Sequence, residues 1–476
     1  MRNFNSISDL KLFYNKFKNQ SLKSINKYVH NNYSHINLST NKGIAGQLLE
    51  ALIGNAPNSN PNPDVFSLGV ELKVLPLRKI SSRLQPKERS KIKSINYNKI
   101  IYEEFNSSLL RKKISQILFL MYEHPTGKNY KDWEEFIFKG CLLYELKNEN
   151  ENIVKEDWYK IKHKVINENA NKLTESEGVI LGACTSGSGK LITYGNNKTA
   201  KQRSYSLKHN YLKIFYSKKI LNQKFISLNF DNNLNVEDYV VKTLNDQLLG
   251  KNLNELVNSF QLKFSSNSKA SFRFLINKVL KIEKNSKILE LEQKGISFKT
   301  IPISFDNKAW EAMSFPKFSL VDLIEEDWQE NENCTFYNTI KNGFIFIPVI
   351  KEKVLKLKNG KKSYKYNNWK EWKIGKIIFW KPNVEEILTI KNEWLKAKEI
   401  IVSGVKTKTV KWGSGTRQEN NLIKSSDTSI LHIRPHAKNS KDLDIPYLNF
   451  SNNKVSICWQ SFWLNIKFIN TLIKPK

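Results

Sequence analysis

The chain has 476 residues, of which 40% are hydrophobic, 26% charged and 12% aromatic; this excludes a disordered or fibrous protein and leaves room for two or three globular domains. A formal net charge of +32 and a pI near 9.7 point to a polyanionic partner, most simply nucleic acid, against the alternative of a lysine- and asparagine-rich proteome in which much of the charge is solvated surface. Cys141, Cys184, Cys334 and Cys458 lack metal-ligand spacing, and no apolar run approaches the roughly 18 residues of a membrane span, so neither a zinc site, a disulfide framework nor a membrane anchor is expected, and a cytoplasmic protein is.

In chain order, residues 1–40 read as polar amphipathic helix or loop with Leu10, Leu12, Phe13 and Phe17 as its packing face. Gly43 to Gly54 predicts a short helix, because Leu48, Leu49, Leu52 and Ile53 make an apolar stripe that holds Glu50 between them. Asn55 to Pro63 is a loop that Pro57, Pro61 and Pro63 keep out of any helix. From Val65 the period becomes two: Val70, Leu72 and Val74 alternate with Glu71 and Lys73, as in a strand with one buried face. If Ser67, Leu68 and Gly69 turn a hairpin, Asp64 returns beside Glu71. Two carboxylates sharing a site repel unless a cation lies between them, and hard oxygen ligands of this kind suit Mg²⁺. Lys73 then either deprotonates an attacking water or, as nearby carboxylates favour, stays charged and positions it. The bland alternative is an exposed hairpin with charges on its solvated face.

The combined pattern GIAGQLLEALIG, PD and LGVELKVLPL resembles the active-site region of MutH, the strand-nicking endonuclease of mismatch repair, and of the related GATC-cutting type II restriction enzymes of the Sau-three-A-I type. The resemblance implies that Glu50, Asp64, Glu71 and Lys73 occupy the family's catalytic positions, with Mg²⁺ held at Asp64 and Glu71. It also implies a second active-site lysine at Lys113, one of three adjacent basic residues ahead of the apolar strand ISQILFLMY.

Between these motifs, Arg78 to Lys99 is either a phosphate-tracking segment or a solvated connector. Cys141 to Leu146 reads as a strand, and Glu156, Asp157 and Trp158 open a helix. Gly182 to Gly189 is expected as a flexible, donor-rich loop; Gly189-Lys190 is followed by Leu191, so it is no phosphate loop and ATP is not implied. Arg203 to Asn210 is similar to the family's basic-aromatic segment, with Arg203 and Lys208 for phosphate and Ser206 for a base.

The second half echoes the first: Asn392-Glu393-Trp394 echoes Glu156-Asp157-Trp158, GFIFIPV echoes QILFLMY, and KGISFKTIPI echoes LGVELKVLPL. The expected architecture is α/β, with two tandem restriction-endonuclease-like domains, 1–220 and 221–476, each a mixed sheet flanked by helices. In the second copy Ser297 and Asn277 stand at the positions of Glu71 and Glu50, so it is expected not to cut. Its LHIRPHAKNSK segment resembles the part of MutH that contacts GATC, giving Arg434, His436 and Asn439 as base readers and Lys438 and Lys441 as phosphate contacts. Trp463 is either a groove-contacting aromatic or core packing with Trp459. The whole reads as a type II restriction endonuclease making Mg²⁺-dependent double-strand cuts, with GATC as the implied site, double-stranded DNA as partner and self-association on DNA. The alternatives are a mismatch-repair nickase and a non-catalytic DNA-binding protein.

Overall fold

An unbroken apolar run is stable as a strand only when both of its faces are covered, and the segment after Lys113 meets that condition. The structure, a computed structural model, describes residues 2–474 apart from 59, 81, 187–189, 232, 266–268, 329–333, 359–360, 413–414 and 450–452. It divides into two compact units, Met1–Leu221 and Asn222–Lys476.

The first unit begins with helices α1 (Ile7–Asn15), α2 (Leu22–Asn32) and α3 (Ile44–Ala51). It continues through β1 (Glu71–Ile80), β2 (Arg83–Pro86), β3 (Ser90–Ser94), α4 (Leu109–Ile114), β4 (Gln116–Glu123) and β5 (Ile137–Glu145). Then follow α5 (Glu149–Ile166), β6 (Leu181–Thr185), the hairpin β7 (Leu191–Tyr194) and β8 (Lys198–Lys201), β9 (Arg203–Leu207) and α6 (His209–Ile220). The main sheet has the order β2-β1-β4-β5, with β1 and β4 parallel; β3-β9-β6 form a second, antiparallel sheet. Along β4, Leu118, Leu120 and Tyr122 join a core with α1, α2 and α3, while Ile117, Phe119 and Met121 join another with Trp158 of α5.

Several expectations change. Glu71 and Leu72 are both fully buried, because both faces of β1 are covered at its start and it is not the half-solvated strand its alternation suggests. Leu12 is exposed, and α5 starts seven residues before Glu156. The segment 78–99 contributes β2 and β3 to the sheets. Gly182 to Thr185 is buried strand, not loop, and 187–189 lie outside the described residues.

The second unit contains α7 (Val236–Leu248), α8 (Leu253–Ser259), α9 (Lys269–Val279), β10 (Ser297–Ile303), β11 (Met313–Phe318) and α10 (Thr335–Ile340). After these come β12 (Phe344–Ile350), the ribbon β13 (Lys353–Lys358) and β14 (Lys361–Tyr366), β15 (Lys373–Ile374), β16 (Ile378–Trp380) and α11 (Val384–Ser403). The hairpin β17 (Thr407–Trp412) and β18 (Gly415–Asn420) precedes β19 (Leu431–Pro435), β20 (Gln460–Leu464) and α12 (Ile466–Ile473). β10 and β12 are parallel with Ser297 opposite Phe344, just as Glu71 lies opposite Ile117. β12 also divides its side chains between two cores, Phe344 and Phe346 in one, Ile345, Ile347 and Val349 in the other.

A buried acid-tryptophan pair fixes the second sheet in each unit. The Asp157 carboxylate accepts the backbone N–H groups of Val179, Ile180 and Leu181 at 2.8–3.0 Å, beside fully buried Trp158. The Glu393 carboxylate likewise accepts those of Ser429, Ile430 and Leu431 at 2.7–3.1 Å, beside Trp394. A Cβ on Gly178 would lie 2.3 Å from Asp157 Cγ and 2.1 Å from the Leu181 carbonyl oxygen, so only glycine permits this approach.

Candidate active site

Asp64 reaches Glu71 by a tighter path than a hairpin. Phe66–Leu68 form a single 3-10 turn, Gly69 takes φ 64°, and Val65 and Val70 make an isolated antiparallel bridge. The left-handed conformation at Gly69 reverses the chain at little cost. Asp64 Oδ2 then accepts the Leu72 N–H at 2.9 Å, which holds the carboxylate against the start of β1. α3 packs on β1, so Glu50, on the helix, belongs to the same cluster.

Glu71 is fully buried and doubly paired. Lys73 Nζ lies 2.6 Å from its Oε1, and Lys113 Nζ lies 2.9 and 2.8 Å from Oε1 and Oε2. Lys113 is thus the one of the three adjacent basic residues that turns to the cluster; Arg111 instead donates to Glu151. The remaining carboxylates hold their protons more readily than usual, first through burial and then through the neighbouring carboxylates. Burial, then repulsion from Asp64, raises Glu50 to about 7. Burial, then Glu71, also raises Asp64. For Lys73 burial favours the neutral amine, but Glu71 and Asp64 outweigh it and hold the ammonium form. Among the described residues no three histidine, cysteine or acidic side chains stand close enough to cage a metal ion by themselves.

The second unit presents a different set at the same register. Ser297 begins β10, and Asn277 is buried with its amide donating to the carbonyls of Glu283, Lys284 and Ser286. Four residues before Phe344, where Lys113 precedes Ile117, stands fully buried Ile340. Lys299, two residues after Ser297 as Lys73 is after Glu71, donates to the Ser314 carbonyl, close to the Phe315 and Phe344 rings. Glu290 accepts the Leu228 N–H. The Ile340 exchange was not read from the sequence; the register between strands finds it.

The expected DNA contacts divide sharply. In the first unit Arg203 is buried in β9 with Nη1 facing the Ala183 carbonyl and Thr185 Oγ1, Ser206 is fully buried against Gly182, and Lys208 donates to the Gly178 carbonyl. Arg203 and Ser206 are therefore buried, because both faces of β9 are covered. In the second unit Arg434, His436, Lys438, Asn439 and Lys441 are exposed at the end of β19 and just beyond it. The Arg434 guanidinium lies 5.9 Å from the Trp463 ring centroid, as does the His436 ring, and His436 Nδ1 is 2.8 Å from Ser461 Oγ. Trp463 is partly exposed and stacks also on buried His432, so it joins core and surface. Lys438 and Lys441 lie in a turn held by Asp442 and Asn439.

Residues 53–157 match the family model described as DNA mismatch repair enzyme MutH, a span that includes Asp64, Glu71, Lys73 and Lys113. The type II restriction enzyme Sau3AI of Staphylococcus aureus is 26% identical over 92% of this chain and 93% of its own. The MutH mismatch repair proteins of Shewanella oneidensis and Vibrio vulnificus are each 26% identical over 40% and 39% of this chain, covering 82% and 68% of their own. The chain thus carries a span that matches the MutH model and is similar to Sau3AI along most of its length, and it is a site-specific deoxyribonuclease.

Proposed function

We propose that the chain is a type II restriction endonuclease with two tandem MutH-like domains, 1–220 and 221–476, which makes double-strand cuts in duplex DNA at GATC. The observation that supports it best is the convergence of Glu50, Asp64, Glu71, Lys73 and Lys113 at the start of β1, against Asn277, Ser297 and Ile340 at the corresponding places in the second unit.

The residues fit Mg²⁺. Oxygen donors whose protonation is favoured by burial and mutual repulsion are donors that a cation would relieve, and Mg²⁺ is commonly held by one or two carboxylates with water and substrate phosphate completing the set. Asp64 and Glu71 would hold it, with Glu50 adjacent; bound there, it supplies polarisation of the scissile phosphate and a more acidic water. Lys113 orients Glu71 through both carboxylate oxygens. The Leu72 N–H orients Asp64. Lys73, held as ammonium, positions the attacking water and stabilises charge that develops on the phosphate.

The second domain supplies grip on a further copy of the site. Arg434 is suited to guanine O6 and N7, His436 and Asn439 to adenine, and Lys438 and Lys441 to phosphates, with Trp463 supporting Arg434 and His436 from beneath. One active site cuts one strand, so two chains associate on DNA for a concerted break. A strand-nicking role is the second reading, favoured by the MutH relatives, whose matches cover 40% and 39% of this chain.

The test is incubation with unmethylated plasmid in Mg²⁺ or EDTA, alongside Glu71→Ala, with the ends sequenced. The expected result is Mg²⁺-dependent double-strand cuts at GATC that Glu71→Ala abolishes. Nicks alone would favour the second reading, and cuts unaffected by Glu71→Ala would overturn the assigned site. Sedimentation with two-site DNA should show paired chains; monomers with concerted cleavage would exclude association.

A further inference from the structure

The two units differ most in charge at one connection. β4 and β5 are joined through residues 124–136, with two lysines and three acids. The corresponding connection, 351–372 after β12, holds eight lysines and two acids, and it folds into the ribbon β13-β14. We propose that this ribbon is a DNA arm that lies along the phosphate backbone.

Its base is fixed by chemistry that consumes neither the ribbon's outer lysines nor its register. Lys351 Nζ sits 3.7 Å from the Trp372 ring centroid, and Lys353 Nζ sits 4.6 Å from that of Trp310. Trp310 Nε1 donates to the Lys351 carbonyl at 2.7 Å. Glu352, the acid within 351–366, accepts the Phe305 N–H at 3.0 Å and so lies at the foot of the ribbon.

Further out, the strands pair with no third strand among the described residues. Their register sets Val354 opposite Lys365, Lys356 opposite Ser363 and Lys358 opposite Lys361. Opposed residues share a face, so Lys356, Lys358, Lys361 and Lys365 all belong to one face of the ribbon. A two-stranded ribbon by itself is marginal, and a polyanion laid along a face with four lysine positions releases its own counterions. The ribbon leaves the Ile350 end of β12, whereas Ser297 pairs with Phe344 at the other end, so this face is separated from the degenerate catalytic position by the length of the strand.

The inference rests on the proposed function only for naming duplex DNA as the polyanion. Its test is the full chain carrying K356Q, K358Q, K361Q and K365Q together, and a second form with arginine at all four, compared with the unsubstituted chain. Binding of a duplex lacking GATC is followed by fluorescence anisotropy across salt concentrations. The expected result for the glutamine form is a salt slope smaller by roughly 3 to 4 and binding weaker by about tenfold or more at 0.1 M salt. The arginine form should bind as the unsubstituted chain does, and the glutamine form without DNA should melt no lower. Unchanged slope and affinity in the glutamine form would overturn the proposal, as would an equal loss in the arginine form. Neither readout requires cleavage, so a chain that never cuts would sink the restriction reading while the arm is still decided.

Discussion

The start of β1 and the start of β10 stand at the same register of a parallel strand pair, Glu71 opposite Ile117 and Ser297 opposite Phe344, yet one gathers paired charges and the other does not. In the first unit a fully buried Glu71 is tolerated because Lys73 and Lys113 both reach it. In the second, Ser297 needs no such partner, and Ile340 fills the lysine's place with apolar core. The lesson is that the buried carboxylate and the lysine that clamps both its oxygens are absent together, since each alone is an unpaired buried charge, whereas Lys299 remains by turning to the Ser314 carbonyl.

The comparison can be broken most decisively at Glu71. Glu71→Gln should lower the rate of DNA cleavage by roughly 10³-fold, measured in single-turnover assays, while Ser297→Glu leaves cleavage unchanged. Cutting that survives the first or rises with the second would remove the asymmetry. Ile340→Lys buries a lysine without its acid, and should cost on the order of 3 kcal/mol in urea denaturation; installing Ser297→Glu with it should recover part of that loss.

A pH experiment sharpens the electrostatic side. The folded protein holds a proton on Glu50 up to about 7, against an ordinary value of 4.5. A raised carboxyl binds more protons folded than unfolded, so its contribution to stability is largest below pH 4.5, declines between there and pH 7, and is flat above. Glu50→Gln should therefore stabilise the metal-free protein at pH 8 relative to pH 5, by on the order of 3 kcal/mol, as read from paired urea melts. An equal effect at both pH values would show that Glu50 carries no such proton.

Smaller effects test the shared scaffold. Asp157→Ala and Glu393→Ala each strand three backbone N–H groups, two of them buried, and should cost about 2 kcal/mol apiece in thermal or urea melts. Strongly unequal losses would show that the two carboxylates do not serve the same purpose. Arg434→Ala should weaken binding to the recognised sequence by about 1–3 kcal/mol in anisotropy titrations and leave binding to unrelated duplex nearly unchanged.

Sequence alone determined the pieces whose signal is local. The apolar stripe around Glu50, the alternation from Val70 to Val74, the run ISQILFLMY and the matching runs in the second half are short-range patterns, and helix and strand periodicity expresses them directly. Tertiary structure decided what depends on which faces are covered and which distant groups meet. It buried Glu71 by covering both faces at the start of β1, chose Lys113 from three adjacent bases by the geometry of α4, and buried Arg203 and Ser206 by covering both faces of β9. It also paired Asp157 and Glu393 with backbone 22 to 38 residues away. Burial and charge pairing are properties of the assembled sheets, and one residue's neighbours along the chain do not contain them.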